Sequence, residues 1–213
     1  MKLAIFDVDL TLTKKDTFIE FYKFLCKEDK RFLLYFNKVI SSGILYGLNI
    51  YDEKKTKEQY LSFLNGVSVE SINFLAKKFY SEYIYKKLLY KDALKEIEKR
   101  KSQGYVVILI SASPEFYLKE FHNLDIDYVL GTRYESKNGV YTGKMIGCNN
   151  KGEEKVKRLF KLLSEENITN VDFEQCCMYS DSLYDLPLLN LVGKGYLINS
   201  NKKINNITNL NWK

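Results

Sequence analysis

The sequence predicts an α/β protein in which an open parallel sheet carries an inserted, all-helical subdomain. Two observations support this prediction. Short apolar runs alternate with stretches of helical periodicity, a pattern typical of β-α-β units. Between the first and second apolar runs, residues 15–88 show helical periodicity alone. We therefore assign residues 1–14 and 89–213 to a Rossmann-like core and residues 15–88 to a helical cap inserted into it.

The strands are expected where short runs of apolar and β-branched residues are bounded by turn-forming residues. The clearest run is YVVILIS at residues 105–111, which follows Gly104 and shows no polar alternation. Such a run is typical of a parallel strand that is covered on both faces. The other strands are expected at residues 2–7, 128–131, 175–181 and 194–200. Asn138-Gly139, between two β-prone runs, predicts a hairpin that we interpret as a local addition.

Helices are expected wherever apolar residues recur at helical spacing. This spacing occurs at residues 17–40, 55–65, 69–85 and 91–102, and again from about Gly152 to Ser164. A further helix is expected directly after the strand that ends in Ser111. Ser113 is predicted to be its N-cap, Pro114 its first residue and Glu115 an acid in its first turn.

The size and charge of the chain narrow the classes of function. With 213 residues and 46% hydrophobic content, the chain can bury one sizeable core, or one core with an inserted subdomain. The formal net charge of +6 and the pI near 8.9 come from lysines spread along the chain. Dispersed charge is typical of a solvated surface, so we expect no nucleic-acid partner, whereas a small anionic substrate fits.

Cysteine usage and the N-terminus indicate a cytoplasmic protein. The four cysteines form no Cys-x-x-Cys pair, and Cys176 and Cys177 adjoin each other in an apolar segment, which suits reduced thiols. The chain enters its first strand directly after Met1 and Lys2, without the features of a signal peptide. No segment reaches the ~18 apolar residues that a membrane span needs, so we expect no transmembrane segment.

Polar residues stand where three different strands end. Asp7, Ser111 and Asp181 each occupy the carboxyl end of a predicted strand, so they should meet at the edge of the sheet where ligands of such folds bind. Asp9 lies two residues after Asp7, and in an extended stretch both side chains would face the same crevice. Three neighbouring carboxylates repel one another strongly, so the pattern predicts a divalent cation.

The type of cation follows from the available ligands. Oxygen ligands supplemented by water suit Mg²⁺, whereas zinc would require histidine or cysteine nearby. The single histidine, His122, lies in a predicted helix, and we interpret it as a surface or core residue. Mg²⁺ is therefore the expected cofactor.

Four motifs in a fixed order resemble a known enzyme family. They are DVDLT at the first strand, ILIS at the second, a lysine near a helix start, and SDSLYD after a later strand. In these motifs the chain resembles the haloacid dehalogenase superfamily of phosphatases, over nearly its whole length. The insert resembles the helical cap of the phosphoserine-phosphatase-like branch, subfamily IB. SASPE, GVYTG, GEEKV and YSDSLYDLPLL resemble a bacterial subgroup of that branch that includes lipid-phosphate phosphatases.

The resemblance implies a role for each residue of the cluster. Asp7 would be the nucleophile that attacks phosphorus and forms an aspartyl-phosphate. Asp9 would protonate the leaving alkoxide and then activate water. The carboxylates of Asp7 and Asp181 and the backbone carbonyl of Asp9 would bind Mg²⁺. Ser111 and a lysine would stabilise the charge on the phosphoryl oxygens.

Two assignments stay open at this level. Lys151 fits the phosphoserine-phosphatase pattern in NNKGE, whereas Lys155 fits the GEEKV pattern of the nearer subgroup, so both are candidates for the phosphate contact. Ser182 and Asp185 have the spacing of a helix capping box. The alternative for Asp185 is a supporting contact to the metal or to the lysine.

The family implies substrate contacts at Asp16, Ala112 and Ser113. Phosphoserine itself is disfavoured, because Asp16 is at best a replacement for the family's acidic residue and Ala112-Ser113 replaces a Gly-Gly pair. The cap also offers only Arg31 as an arginine for a carboxylate. Since the cap is rich in aromatic residues, we expect it to be a mobile lid that favours an apolar or neutral leaving group. The substrate would be a small phosphorylated metabolite or a lipid phosphate.

Two other functions are compatible with parts of this pattern. A phosphotransferase or phosphomutase of the same superfamily would use the same acids. Receiver domains, which are phosphate-accepting switches, also combine an acidic cluster with a Ser or Thr, a Lys and Mg²⁺. They lack a helical insert and a second acid two residues after the nucleophile, so the sequence favours the hydrolase.

Overall fold

The computed structural model describes residues 1–213 and confirms the predicted fold class. The seven strands are β1 (Leu3–Phe6), β2 (Val106–Pro114), β3 (Tyr128–Lys137), β4 (Val140–Ile146), β5 (Cys177–Ser180), β6 (Lys194–Ile198) and β7 (Ile207–Leu210). They form one sheet in the order β4-β3-β2-β1-β5-β6-β7. All neighbouring strands are parallel except β3 and β4, which are antiparallel. The central strand is therefore β1, the strand that leads into Asp7.

Eight α-helices and several shorter helical segments connect the strands. The α-helices are α1 (Thr17–Glu28), α2 (Phe36–Gly47), α3 (Glu53–Tyr60), α4 (Val69–Phe79), α5 (Lys91–Ser102), α6 (Glu115–Leu118), α7 (Glu153–Glu165) and α8 (Leu186–Leu189). A π-helix over Tyr80–Leu88 continues α4, and 3₁₀ segments occupy Lys30–Tyr35, Leu61–Leu64, Lys119–Leu124, Phe173–Gln175 and Leu183–Asp185. All elements between β1 and β2 are helical. None of the helices combines the length and the apolar character that crossing a membrane requires.

The two faces of the sheet are buried by different sets of side chains. Because successive residues of a strand point to opposite faces, Leu3 and Ile5 of β1 enter one cluster, and Ala4 and Phe6 enter another. The first cluster contains 14 buried residues, including leucines of α7 and α8. The second contains 36 buried residues and continues into the cap. Burial on both faces explains the lack of polar alternation in YVVILIS.

Aromatic side chains join the cap to the core. Tyr117 of α6 is fully buried, and its ring centroid lies 5.1 Å from that of Phe21 in α1 and 5.8 Å from that of Phe79 in α4. Tyr22 and Phe24 of the cap are also buried. These rings belong to the larger hydrophobic cluster, so they contribute to the packing that joins the cap to the core.

The predicted helix over residues 17–40 is wrong in one respect, because it is broken at Asp29. The backbone of Asp29 is extended, with φ −145° and ψ 113°, and its carboxylate accepts a hydrogen bond from the Arg31 N–H at 2.9 Å. A short acidic side chain that bonds nearby backbone donors competes with continuation of the helix. The chain therefore ends α1, makes a 3₁₀ segment and begins α2 afresh.

Both edges of the sheet also differ from the prediction. The hairpin does turn at Asn138-Gly139, whose φ angles of 51° and 77° suit a type I′ turn. However, β3 also pairs with β2, so the hairpin is an edge of the main sheet rather than a local addition. The last strand is β7 instead of β6, because the segment ITNL pairs with β6. This segment is short and partly polar, so it lacks the apolar run from which a strand can be predicted.

An aromatic stack supports the strands beneath the acidic edge. Tyr179 of β5 lies between Phe6 and Tyr196, with ring centroids 4.4 Å and 4.8 Å away. Trp212, the only tryptophan, is buried, and its ring centroid lies 5.6 Å from that of Tyr179. The stack therefore joins β1, β5 and β6 two residues before Asp181.

Candidate active site

A chain of four side chains begins at the carboxyl end of β1. The Asp7 N–H donates to the Tyr179 carbonyl at 2.9 Å, which fixes Asp7 at the top of the sheet. Its Oδ1 accepts a hydrogen bond from Lys155 Nζ of α7 at 2.7 Å. The same ammonium donates to Asp185 Oδ2 at 2.7 Å, and this oxygen also accepts from Ser180 Oγ at 2.7 Å. All of these side chains are buried, so one lysine stands between two carboxylates away from water.

Burial and charge oppose each other in this chain. Burial raises the pKa of Asp7 to about 8, while contact with Lys155 acts in the opposite direction and Asp185 and Asp9 add to the rise. For Lys155, burial alone would lower the pKa, but Asp7 and Asp185 outweigh it and raise the pKa above its usual range. The lysine is therefore held charged, and any added cation near Asp7 would favour the carboxylate form of that residue.

The segment that carries Asp9 is a turn rather than the extended stretch expected from the sequence. Leu10 has a φ of 58°, and the backbone N–H groups of Thr11, Leu12 and Thr13 all donate to the Val8 carbonyl. The chain thus folds back directly after the first strand. Asp9 nevertheless lies at the same edge as Asp7, because it contacts Ser111 at the end of β2 and its charge raises the pKa of Asp7.

Four donors hold the side chain of Asp9. Its Oδ1 accepts from the Thr17 N–H at 2.6 Å and from Thr17 Oγ1 at 2.5 Å. Its Oδ2 accepts from Ser113 Oγ at 2.6 Å and from Ser111 Oγ at 3.3 Å. Because Thr17 is the first residue of α1, the carboxylate of Asp9 is bound to the beginning of the cap as well as to the end of β2.

The third acid, Asp181, follows β5 and is tied to the turn after β1. Its N–H donates to Thr11 Oγ1 at 2.9 Å, and its Oδ1 accepts from the same hydroxyl at 3.3 Å. Burial raises the pKa of Asp181 to about 6, and Asp185 adds to the rise. Thr11 is completely buried, and its hydroxyl joins the turn after β1 to the residue that follows β5.

The oxygens at this edge fit a hard cation. Oδ2 of Asp7, Oδ2 of Asp181 and the backbone carbonyl of Asp9 accept no hydrogen bond from the protein. No group of three or more His, Cys, Asp or Glu side chains is arranged to hold a metal ion. Two carboxylates and one carbonyl, completed by water, are a donor set that suits Mg²⁺ rather than a metal that needs a full protein cage.

The end of β2 supplies Ser111, Ala112 and Ser113, and the predicted N-cap role of Ser113 is wrong. β2 continues through Pro114, and α6 begins only at Glu115. The Ser113 hydroxyl is engaged with Asp9, so it caps no helix. Ser111 is fully buried, and its Oγ accepts from the Ser113 N–H at 3.0 Å.

The two candidate lysines occupy different places. Lys155 contacts Asp7 directly, as described above. Lys151 Nζ pairs with Glu53 of α3 at 3.1 Å and lies 3.7 Å from the centroid of the Tyr184 ring. Lys151 therefore joins the core to the cap, and Lys155 is the lysine beside the predicted nucleophile.

The capping-box interpretation of Asp185 is contradicted. Its carboxylate accepts from Lys155 and Ser180. The Ser182 N–H, which a capping box would direct to Asp185, donates to Ser180 Oγ at 3.1 Å instead. Asp185 thus positions Lys155, which leaves its contact with the lysine as the supported alternative.

Lys57 of α3 was missed by the sequence reasoning. Its Nζ donates to the Ala112 carbonyl at 2.5 Å and to Asn149 Oδ1 at 2.8 Å. Burial lowers the pKa of Lys57 to about 8, and the acids Glu53, Asp9 and Asp16 act in the opposite direction. A single lysine in a polar helix carries no local signal, so only the three-dimensional contact reveals that the cap places a cation at the acidic edge.

Asp16 lies between cap and core. Its carboxylate accepts from the Ile19 N–H at 3.0 Å and so caps α1. Burial raises the pKa of Asp16, and the charge of Asp9 adds to the rise. The side chain is therefore close enough to Asp9 to feel its charge, while its predicted contact with substrate stays a prediction.

Comparison with known proteins places the chain in a family. The family model for haloacid dehalogenase-like hydrolases matches residues 4–190. The chain is 29% identical to phosphoserine phosphatase SerB1 of Mycobacterium tuberculosis, covering 96% of the chain and 67% of the relative. It is 28% identical to a histidinol-phosphatase of Neisseria meningitidis, covering 95% and 92%. A Bordetella pertussis protein of unknown function has a similar structure, with a TM-score of 0.81, 21% identity, and coverage of 93% and 90%.

The family model matches most of the chain, so this protein belongs to the haloacid dehalogenase-like hydrolases. The resemblance indicated by the sequence motifs is confirmed at the level of the family. The match to the Bordetella protein supports the fold alone, because the sequence identity is low.

Proposed function

We propose that this chain is a Mg²⁺-dependent phosphomonoester phosphatase that works through an aspartyl-phosphate on Asp7. The observation that carries the proposal is the buried contact of Asp7 with Lys155, beside carboxylate oxygens of Asp7 and Asp181 that bind no protein donor. Such an arrangement holds a nucleophile in place and puts one positive charge beside the incoming phosphoryl group, and the free carboxylate oxygens could hold the Mg²⁺ that would add further positive charge. The phosphatase names of two relatives support the same reaction.

The residues divide the reaction into two displacements. In the first, an Asp7 oxygen bonds to phosphorus while the bond from phosphorus to the ester oxygen breaks, and Asp9 gives a proton to the leaving alkoxide. In the second, Asp9 takes a proton from water, the water oxygen bonds to phosphorus, and the bond to Asp7 breaks. Lys155 and Ser111 hold the phosphoryl oxygens between the steps. Bound Mg²⁺ would supply further neutralisation of the phosphoryl charge.

Asp9 must change partners to perform this role. Both of its oxygens are now occupied by Thr17, Ser113 and Ser111. Proton transfer to a leaving group therefore requires the carboxylate to give up at least one of these contacts. Since Thr17 belongs to the cap, substrate entry beneath the cap is the event that would release it.

The substrate class proposed from the sequence is a small phosphorylated metabolite or a lipid phosphate. Lys57 and Asp16 give the cap side of the site one cation and one acid. Relatives are named for phosphoserine and histidinol phosphate, both of which carry an amino group that an acid would attract. A panel with Mg²⁺ should therefore include phosphoserine, histidinol phosphate, glycerol phosphate, a lysophosphatidate and an aryl phosphate.

Two variants test the reaction itself. Asp7→Asn should remove turnover, whereas Asp9→Asn should slow it by about 10²–10⁴-fold while phosphate binding is retained. Phosphate release and trapping of labelled phosphoenzyme are the measurements. Ordinary turnover by Asp7→Asn would show that another residue is the nucleophile. A stable phosphoprotein with no phosphate release would indicate a switch instead of a hydrolase.

A further inference from the structure

One segment of the cap combines positive charge with exposed apolar side chains. Residues 30–51, KRFLLYFNKVISSGILYGLNIY, lie between Asp29 and Asp52 and contain no acid. Their three basic residues are Lys30, Arg31 and Lys38. The segment comprises the 3₁₀ turn before α2, α2 itself and the turn after it. We call its outer surface the α2 face.

The apolar side chains of the α2 face are exposed rather than packed. Eight of the sixteen large hydrophobic residues exposed anywhere in the protein lie in this segment. They are Leu33, Leu34, Phe36, Ile40, Ile44, Tyr46, Leu48 and Ile50. Leu34 is 83% exposed, and Ser42 is the only buried residue of α2. An apolar surface concentrated in this way is typical of an interaction site rather than of an ordinary protein surface.

An apolar groove continues the face toward α1. It has a volume of about 910 Å³ and includes Ile19, Leu33, Phe36 and Ile40 in its lining. Lys15, Lys23, Lys27 and Lys87 stand around it, against Glu20, Glu28 and Glu82. Lys23 is paired with Glu20, whereas Lys27 makes no ion pair. The excess of unpaired cations therefore extends along the side of the apolar surface.

The charges of the α2 face indicate what covers it. Lys30 and Lys38 are exposed and make no ion pair with a carboxylate, and neither does the exposed Lys27 of α1, which lines the adjoining groove. A second copy of this chain would bring the same cations against one another across a two-fold interface, since no acid lies within the segment. An anionic lipid surface is complementary instead, because it accepts lysines at its headgroups and apolar side chains at the acyl boundary.

We propose that the α2 face is a docking surface for a bilayer that carries anionic phospholipids. Leu34, Ile44 and Leu48 enter the headgroup boundary, and Lys27, Lys30 and Lys38 contact the phosphates. Tyr35 directly before α2, Tyr46 in its last turn and Tyr51 after it suit the same interface. The docking does not depend on the proposed phosphatase reaction, because none of these residues belongs to the acidic edge.

Sedimentation with vesicles tests the proposal. The whole protein should sediment with vesicles of phosphatidylglycerol and phosphatidylcholine in equal amounts, weakly with phosphatidylcholine alone, and less as salt is added. Leu34→Asn with Ile44→Asn should lower the bound fraction by about fivefold or more. Phe74→Asn, at a side chain 68% exposed on α4, is the matched control and should leave binding unchanged.

Charge variants distinguish a specific effect of these lysines on vesicle binding from an effect of the protein's net charge. Lys27→Gln with Lys30→Gln and Lys38→Gln should reduce binding to anionic vesicles. Lys157→Gln with Lys202→Gln and Lys203→Gln removes the same charge from exposed sites elsewhere and should not. Circular dichroism and turnover of a soluble aryl phosphate should be equal in all variants, which shows that each is folded.

Several results would overturn the proposal. They are failure of the whole protein to bind anionic vesicles, and equal binding by the face variants and their controls. A third is a dimer in solution that Leu34→Asn with Ile44→Asn dissociates, since the face would then be a contact between copies.

Discussion

Lys155 determines the charge balance at the end of β1, because it stands 2.7 Å from both Asp7 and Asp185. We expect Lys155→Met to lower kcat/KM by about 10²–10³-fold, since it removes a preorganised charge beside the phosphoryl group. The variant should also be less stable, because two carboxylates would stay buried without their counter-ion. Steady-state kinetics and thermal unfolding measure the two effects.

Lys151→Met is the control for this prediction. The Lys151–Glu53 pair is partly exposed, so its removal should have a much smaller effect on turnover. Equal losses in both variants would contradict the assignment of Lys155 as the phosphate-side lysine.

Asp181 gives the proposed metal site a pH dependence. Burial raises its pKa to about 6, so the side chain binds a proton below that pH and is a carboxylate above it. A proton and a cation compete for the same oxygens, and Asp7, whose pKa is raised to about 8, takes up its proton before Asp181 does. The Mg²⁺ concentration for half-maximal rate should therefore rise as the pH falls below 8, and below pH 6 it should rise by up to about a further tenfold for each pH unit. Titration of Mg²⁺ at several pH values gives this quantity.

Asp181→Asn tests the origin of that dependence. The amide does not titrate, so metal activation should become weak and should lose its change near pH 6. The assignment would be wrong if the variant kept the pH profile of the unmodified protein.

At the scale of one element, α3 is held over the core by Lys57. Its contacts with the Ala112 carbonyl and Asn149 join the cap to the end of β2. Lys57→Met removes charged hydrogen bonds, so amide hydrogens of α3 should exchange about 10–100-fold faster through local opening. Hydrogen exchange with mass spectrometry is the measurement.

Lys55→Met is the matched change on the same helix, because Lys55 is exposed and lies over the Tyr51 ring. It should leave exchange in α3 nearly as it was. Equal acceleration by both substitutions would indicate that helix propensity, rather than the contact with Ala112, holds α3 in place.

Sequence patterns predicted those elements whose stability comes from local composition. β2 could be predicted because both of its faces are buried, which requires a continuous apolar run. The turn at Asn138-Gly139 could be predicted because it needs two positive φ angles, which these residue types favour. β7 has neither property and is defined by pairing with β6.

Contacts between distant residues are the part of the site that the patterns did not predict. The hydroxyl of Ser113 looked like a helix cap until its partner, Asp9, was seen 104 residues away in the chain. Lys57 is 55 residues from Ala112 and has no distinguishing neighbour in its own helix. The proximity of Asp7 and Asp181 could be predicted, because the carboxyl ends of parallel strands lie at the same edge of the sheet.

At the scale of the whole molecule, cap and core share one buried cluster. Phe79 of the cap is fully buried and contacts both Phe21 of the cap and Tyr117 of the core. Phe79→Ala should destabilise the protein by about 3–5 kcal/mol and should leave a single unfolding transition. Calorimetry shows whether one transition or two are present.

The neighbouring change Phe74→Ala on the same helix should cost little, because that ring is 68% exposed. Two well-separated transitions in the unmodified protein would contradict the prediction, since cap and core would then unfold independently.

The position of Trp212 gives the core a fluorescence signal that the cap lacks. The only indole of the chain packs against Tyr179 in the core, and the cap contains none. Its fluorescence should therefore report the integrity of the sheet beneath the acidic edge and should not change when the cap opens. A fluorophore placed on the exposed cap helix α2 would accept energy from this indole, and transfer efficiency would then report the distance between cap and core during turnover.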